Sequence, residues 1–252
     1  MYFTGGYKEK IWQLYFKKSG KFDKLDIIPE EQIDKVVIRE CGERLLRIEI
    51  PGAIISKTEK RRNFDGDNFL YARETVVAMI EKAVSSLPAS MRLKIFDACR
   101  PLEFQEMRFN EEYEKTKAAN PGLSENSLRA LVFVSIFPPN RDPERPPPHS
   151  TGGALDLTIV DSQGNEMDMG CKYGEFGERM YTNSNLITPE QRKNRLILLG
   201  AMINAGFANF PGEWWHFMYG EREWVAYVKM MTGSKKTAIY GRADLIRGDK
   251  DD

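Results

Sequence analysis

The chain contains two histidines, His149 and His216, and each stands in a segment that also carries a carboxylate and glycine. The first segment reads Pro148-His149-Ser150-Thr151-Gly152-Gly153-Ala154-Leu155-Asp156, the second Gly212-Glu213-Trp214-Trp215-His216. Two imidazoles and one carboxylate, from His149, Asp156 and His216, make the donor set of a catalytic zinc site, which keeps a fourth position for water. Bound zinc brings the pKa of such a water to about 7, and a nearby carboxylate can then take its proton. Glu213, fixed by sequence close to a ligand without having to be one, is the candidate general base. Arg100, after a predicted strand and before Pro101, is the candidate to hold the oxyanion of a tetrahedral intermediate.

These residues meet only under particular local geometry. His149 and Asp156 are seven apart and share no helical face; they converge if the histidine sits on a loop and the two glycines turn the chain into a strand near the aspartate. Glu213 and His216 are three apart, which on a regular strand puts them on opposite faces. They serve one site if the strand bends or begins between them, and Phe210-Pro211-Gly212 is suited to that. The ordinary alternatives are a structural or exposed histidine, tryptophans at 214 and 215 that fill a core, and an Arg100 paired with Asp97.

The elements that must position these residues alternate irregularly. Val36-Val37-Ile38 and Leu45–Ile50 are β-branched or aliphatic runs around a turn at Cys41-Gly42 and predict a hairpin or two neighbouring strands. Apolar residues from Ala72 to Leu87 keep helical spacing and stop before Pro88. A strand over Leu93–Phe96 runs into Asp97-Ala98-Cys99-Arg100-Pro101, followed by helices over 102–118 and from Ser124 to Phe137. Residues 138–148 hold six of the chain's 13 prolines and run straight into His149, so they read as a stiff loop at the edge of the site rather than a linker. A strand is expected over Leu155–Val160. Thr188-Pro189-Glu190-Gln191 has the makings of a capping box opening a helix that ends at Ala205 before Gly206. A last strand is expected over Trp214–Met218 and a short helix over Trp224–Met231. The strands are too few and scattered for a doubly wound sheet. The expected class is α+β, with one small, mostly antiparallel sheet and helices packed on it.

With 37 Lys+Arg and 37 Asp+Glu in 252 residues the formal net charge is zero, which argues against a nucleic-acid-coating or polybasic membrane partner. No window approaches the ~20 apolar residues that span a bilayer. Cys41, Cys99 and Cys171 are odd in number and far apart, and read as reduced thiols. The first residues lack a basic stretch followed by an apolar one, so the cytoplasm is the expected compartment, or the periplasm if a signal peptide has been removed.

At His149-x6-Asp156, Glu213-Trp214-Trp215-His216 and Asp97-x-x-Arg100-Pro101 the sequence resembles the D-alanyl-D-alanine dipeptidases of the VanX type. These are zinc peptidases related to the D-Ala-D-Ala carboxypeptidases and the Hedgehog signalling domain. Asn63-Phe64-x-Gly66 and Met169-Gly170 also resemble family segments, and the likeness runs from about residue 60 to 218. The resemblance implies one zinc ion on His149, Asp156 and His216, with Glu213 as base and Arg100 as transition-state stabiliser, in a compact α+β fold with a small closed pocket. It departs at substrate recognition. Where the family has an aspartate for the substrate's amino group, this chain has Gly174, with Glu175 beside it as the candidate replacement; Ser150 is the other candidate substrate contact. Pro147 stands where the family often has serine.

The expected organisation is an N-terminal extension over 1–60 packed on the core, a zinc peptidase domain over 61–232 and a C-terminal tail over 233–252. The expected activity is zinc-dependent hydrolysis of D-Ala-D-Ala or a similar short D-amino-acid-containing peptide. The alternatives are a peptidoglycan carboxypeptidase or endopeptidase acting on longer stem peptides, and a non-catalytic zinc-bearing binding domain.

Overall fold

The structure, a computed structural model, describes residues 27–133 and 136–243. Most of the aromatic and basic segment at the start of the chain therefore lies outside the described residues, as does the end beyond Ala243.

The fold is organised by one strand. β5 (Ala154–Val160) reads Ala-Leu-Asp-Leu-Thr-Ile-Val and every one of its residues is buried. A strand covered on both faces has to be a central one, and it is the middle of a five-stranded sheet. Its partners are β2 (Ala53–Ile55), β4 (Arg92–Asp97), β6 (Ala208–Asn209) and β7 (His216–Met218), in the order β2-β4-β5-β7-β6. All neighbours are antiparallel except β2 and β4. The α+β class with a mostly antiparallel sheet is the one expected. A separate antiparallel ribbon of β1 (Leu45–Arg47) and β3 (Tyr71–Arg73) accompanies it.

Two helices pack against each other over the core, α3 (Glu74–Ser86) and α6 (Pro189–Ala205). α3 buries Val76, Met79, Ile80 and Ala83, residues three or four apart on one face. It stops because Leu87 precedes Pro88 and is driven to extended backbone at ψ 154°. α6 opens with the expected capping box between Thr188 and Gln191 and ends on left-handed Gly206 at φ 116°. The remaining helices are α1 (Glu30–Ile33), α2 (Glu59–Asp65), α4 (Leu102–Ala119), α5 (Glu125–Phe133) and α7 (Arg222–Thr232).

The expected hairpin between 36–38 and 45–50 is not formed. Ile38 makes a parallel bridge with Ala238, and β1 pairs with β3 instead. Of the two apolar runs only Leu45–Arg47 forms a strand and Ile38 a single bridge, and their partners are remote in sequence. The chain past α7, the start of the expected C-terminal tail over 233–252, packs on the fold, with Ala238, Tyr240 and Ala243 fully buried. What binds it is Arg73, also fully buried. The Arg73 guanidinium donates to the carbonyl oxygens of Glu43, Thr151 and Gly241 at 2.6–3.0 Å and to the Glu40 carboxylate at 3.0 and 3.1 Å. One side chain thus joins the N-terminal segment, the turn that carries His149 and the C-terminal segment.

Candidate metal and catalytic site

Sheet register places the first half of the site. Asp156 on β5 is the register partner of Asp97 on β4 and of His216 on β7, so the three residues form one rung across three strands. Directly opposed residues project to the same face. β7 begins at His216, shorter than the strand expected from Trp214. The strand therefore starts between Glu213 and His216, as their convergence requires. The preceding turn closes with the Glu213 amide donating to the Phe210 carbonyl at 3.1 Å and the His216 amide to the Glu213 carbonyl at 3.3 Å. Asn209 Nδ2 donates to both carbonyls, of Glu213 at 3.0 Å and of His216 at 2.9 Å. Trp214 and Trp215 fill the core beside this turn.

His149 arrives from a single 3₁₀ turn (Pro148–Thr151) at the end of the proline-rich loop. Gly152, at φ 74°, and Gly153 then turn the chain into β5. A Cβ on Gly153 would lie 2.4 Å from the Tyr219 carbonyl oxygen, so only glycine lets the two backbones approach. His149 Nδ1 is 2.9 Å from the Ala98 carbonyl oxygen. A proton on Nδ1 donated there leaves the Nε2 lone pair directed at the site, the usual orientation of a metal-binding histidine.

The three candidate donors meet. His149 Nε2 is 3.2 Å from His216 Nδ1 and 3.3 Å from Asp156 Oδ1, and His216 Nδ1 is 3.0 Å from Asp156 Oδ1. Tetrahedral ligands at ~2.05 Å from zinc stand about 3.3 Å apart, so this triangle has the edges such an ion requires. All three residues are buried, and they form the one metal-capable group of His, Cys, Asp or Glu found among the described residues. The donor set fits zinc, and two imidazoles with a carboxylate also accept other divalent ions.

The electrostatics follow from burial. Burial pushes the Asp156 carboxyl up, but His149 and His216 outweigh it and hold it well below the usual carboxylate range. Burial lowers the His216 imidazole, favouring the neutral form that binds metals. The Asp156 Oδ2 oxygen accepts from the Tyr173 hydroxyl at 3.1 Å and lies 3.5 Å from Arg100 Nη2. Glu213 Oε2 stands 3.9 Å from His216 Nδ1. Burial, reinforced by Asp156, pushes the Glu213 carboxyl up to about 8 against the opposing pull of Arg108 and Arg100. A carboxyl tuned in that direction can accept and return a proton near neutral pH.

A cavity opens at this cluster, lined by His149, Asp156, Glu213 and His216 together with Arg100, and Arg100 is tightly held. Its Nε donates to Asp97 Oδ2 at 2.9 Å and its Nη1 to Gln105 Oε1 at 2.6 Å. Burial would lower its pKa, yet the Asp97 and Asp156 carboxylates keep it above the ordinary value and fully charged. The pairing with Asp97 is real, and it fixes the guanidinium at the cavity wall. Arg61 completes this layer, donating to Asp97 Oδ1 at 2.7 Å and to the Cys99 carbonyl at 2.8 Å.

The two candidate substrate contacts are not brought to the cavity. Glu175 is exposed and accepts from its own loop, from the Lys172 amide at 3.1 Å. Ser150 is buried and donates to the Arg100 carbonyl at 3.0 Å, facing a neighbouring hollow instead. Gly174 does line the site cavity. Residues that spacing alone did not single out are Tyr173, Gln105, Arg108 and Glu223, all on the cavity wall. Gln105 and Arg108 lie on a helix whose polar residues recur on every side, so nothing in their pattern separates wall from surface. The segments Asn63-Phe64-x-Gly66 and Met169-Gly170 are structural here. Gly66 caps α2 at φ 75°, and a Cβ on Gly170 would meet Ile187 at 2.5 Å.

Comparison with known proteins finds D-Ala-D-Ala dipeptidases. A family model described as D-Ala-D-Ala dipeptidase matches residues 45–232. A D-alanyl-D-alanine dipeptidase of Synechocystis is 29% identical over 236 residues, 83% of this chain and 95% of that protein. One from Escherichia coli is 26% identical over 172 residues, covering 68% of this chain and 78% of its own length. A third, from Enterococcus faecium, is 35% identical over 71 residues, 28% of this chain and 35% of that protein.

Proposed function

The chain belongs to the D-Ala-D-Ala dipeptidase family of peptidases, and from that membership we propose that it is a zinc-dependent dipeptidase cleaving D-Ala-D-Ala or a closely similar D-amino-acid dipeptide. The observation that carries the reading is the triangle of His149 Nε2, Asp156 Oδ1 and His216 Nδ1, with edges of 3.0–3.3 Å and the Glu213 carboxylate beside it.

Zinc on these three residues would supply an acidified water, of pKa about 7, and polarise the scissile carbonyl. Glu213 would take a proton from the attacking water and hand it to the departing amine as the C–N bond breaks. Arg100 faces the negative charge that grows on the carbonyl oxygen. Because Asp97 and Gln105 already fix its guanidinium, little reorganisation is needed as that charge develops. Tyr173 keeps Asp156 oriented through its outer oxygen, as second partners of metal ligands do.

The test is hydrolysis of D-Ala-D-Ala by metal-stripped protein with and without added zinc, alongside an acyl pentapeptide ending in D-Ala-D-Ala. Zinc-dependent cleavage of the dipeptide, with little of the pentapeptide, is expected. A clear pentapeptide preference would make the protein a carboxypeptidase or endopeptidase of longer stem peptides. Stoichiometric zinc with no hydrolysis across a dipeptide panel would make it a binding domain.

A further inference from the structure

The charged side chains that wall the catalytic cavity fall into two groups. Arg100, Asp156, His149 and His216 are engaged with one another or with Asp97, and Glu213 stands 3.9 Å from His216. Two others, Glu223 and Arg108, line the same cavity and make no hydrogen bond or ion pair with their side chains among the described residues.

Glu223 is the more unusual of the two. It lies in the first turn of α7 and is 6% exposed. Its main-chain amide donates to the N-cap Glu221 carboxylate at 2.7 Å, but its own carboxylate has no donor. Burying a carboxylate without a partner is costly. Burial, together with the Glu221, Glu213 and Glu30 carboxylates, pushes the Glu223 carboxyl well above the usual range, against the pull of Arg222. Arg222 is itself committed to Asp34 at 2.7 Å. A cation entering the cavity would relieve this arrangement. Arg108 is the complement: a half-buried guanidinium on α4, at the cavity wall, with no carboxylate bound to it.

We propose that Glu223 receives the free ammonium of the substrate and Arg108 its free carboxylate, so that the cavity selects short peptides with both termini unblocked. This rests on the dipeptidase reading above and assigns to it the residues that set substrate class. The chemistry is charge complementarity at a cavity walled in part by buried side chains, where leaving one member of a buried pair alone is strongly penalised. Gly174 on the same wall presents no charge and Glu175 turns away, which leaves Glu223, delivered by α7, as a carboxylate on the cavity wall without a donor among the described residues.

The experiment compares kcat/KM of the zinc-loaded protein on D-Ala-D-Ala, its N-acetyl derivative and its C-terminal amide. The unmodified protein is expected to favour the free dipeptide over each blocked form by at least about tenfold. Glu223→Gln should shrink the free-to-acetylated ratio about tenfold or more, chiefly through KM, and leave the acid-to-amide ratio in place. Arg108→Gln should do the reverse. Equal cleavage of free and acetylated dipeptide by the unmodified protein overturns the inference, and needs no variant to fold. So does a Glu223→Gln or Arg108→Gln protein that keeps its corresponding ratio. Failure of the unmodified protein to cleave any of the three would instead remove the dipeptidase reading itself.

Discussion

Asp156 and His216 are opposed residues of neighbouring antiparallel strands, and their side chains meet with Oδ1 3.0 Å from Nδ1. A hydrogen-bonded sheet rung is a stiff support, so two of the three candidate ligands are aligned by the fold itself before any ion arrives. The third, His149, is held by the Ala98 carbonyl, the residue next to Asp97 on the same rung. Preorganised donors of this kind favour tight metal binding and an unstrained open position.

Replacing Glu213 separates chemistry from metal binding. Glu213→Gln should retain one zinc per chain by elemental analysis while kcat falls about 10²–10⁴-fold, the usual contribution of a positioned base. Turnover within tenfold of the unmodified protein would assign the proton transfer to another group.

Tyr173 acts through Asp156. Tyr173→Phe removes the 3.1 Å hydrogen bond to Oδ2 and leaves that oxygen only the longer contact with Arg100. Zinc affinity, measured by competition with a chromogenic chelator, should weaken about 10–100-fold. An unchanged affinity would show that the sheet alone orients the carboxylate.

Stripping the metal should lower Tm and abolish hydrolysis, with both restored by added zinc, because an ion bound only by the folded chain stabilises it. The ligands bind in their deprotonated forms, so the Tm increment from a fixed zinc concentration should shrink as pH is lowered. Differential scanning calorimetry between pH 5 and 8 reads this directly.

Asp97 supplies a pH dependence of different origin. Burial raises its carboxyl, but Arg100 and Arg61 outweigh burial and hold it below the ordinary 3.8. The folded chain therefore binds fewer protons here than the unfolded one. The resulting stability is present above about pH 4 and is lost as pH falls through the folded value. Asp97→Asn, which leaves two buried guanidinium groups short of a carboxylate, should cost on the order of 3 kcal/mol near neutral pH. Its Tm deficit should narrow below about pH 4. A deficit constant with pH would mean that the loss is one of packing.

Much of the site was legible because the chain is poor in histidine and both copies lie in segments able to bend. The glycine pair, the break before His216 and the Thr188 capping box are short-range features, and local sequence determines them. What escaped depends on distant partners. Val36–Ile38 looks like half of a hairpin, yet Ile38 bridges to Ala238, which no local pattern announces. Glu223 reads as one more acid in the first turn of a helix, where negative charge is favoured on any surface helix. Only the packing of α7 onto the cavity turns it inward. Glu175 shows the opposite error, since proximity in sequence to Tyr173 and Gly174 did not make it a neighbour in space.

Arg73 touches no candidate ligand, yet it grips the carbonyl of Thr151, two residues past His149, with the same guanidinium that grips Gly241. Cutting the chain just before residue 238 would therefore slacken the loop that carries the candidate ligand His149, nearly ninety positions upstream. The packed segment over 238–243 works as a latch, and a nascent chain cannot lock His149 in place until that segment has been synthesised.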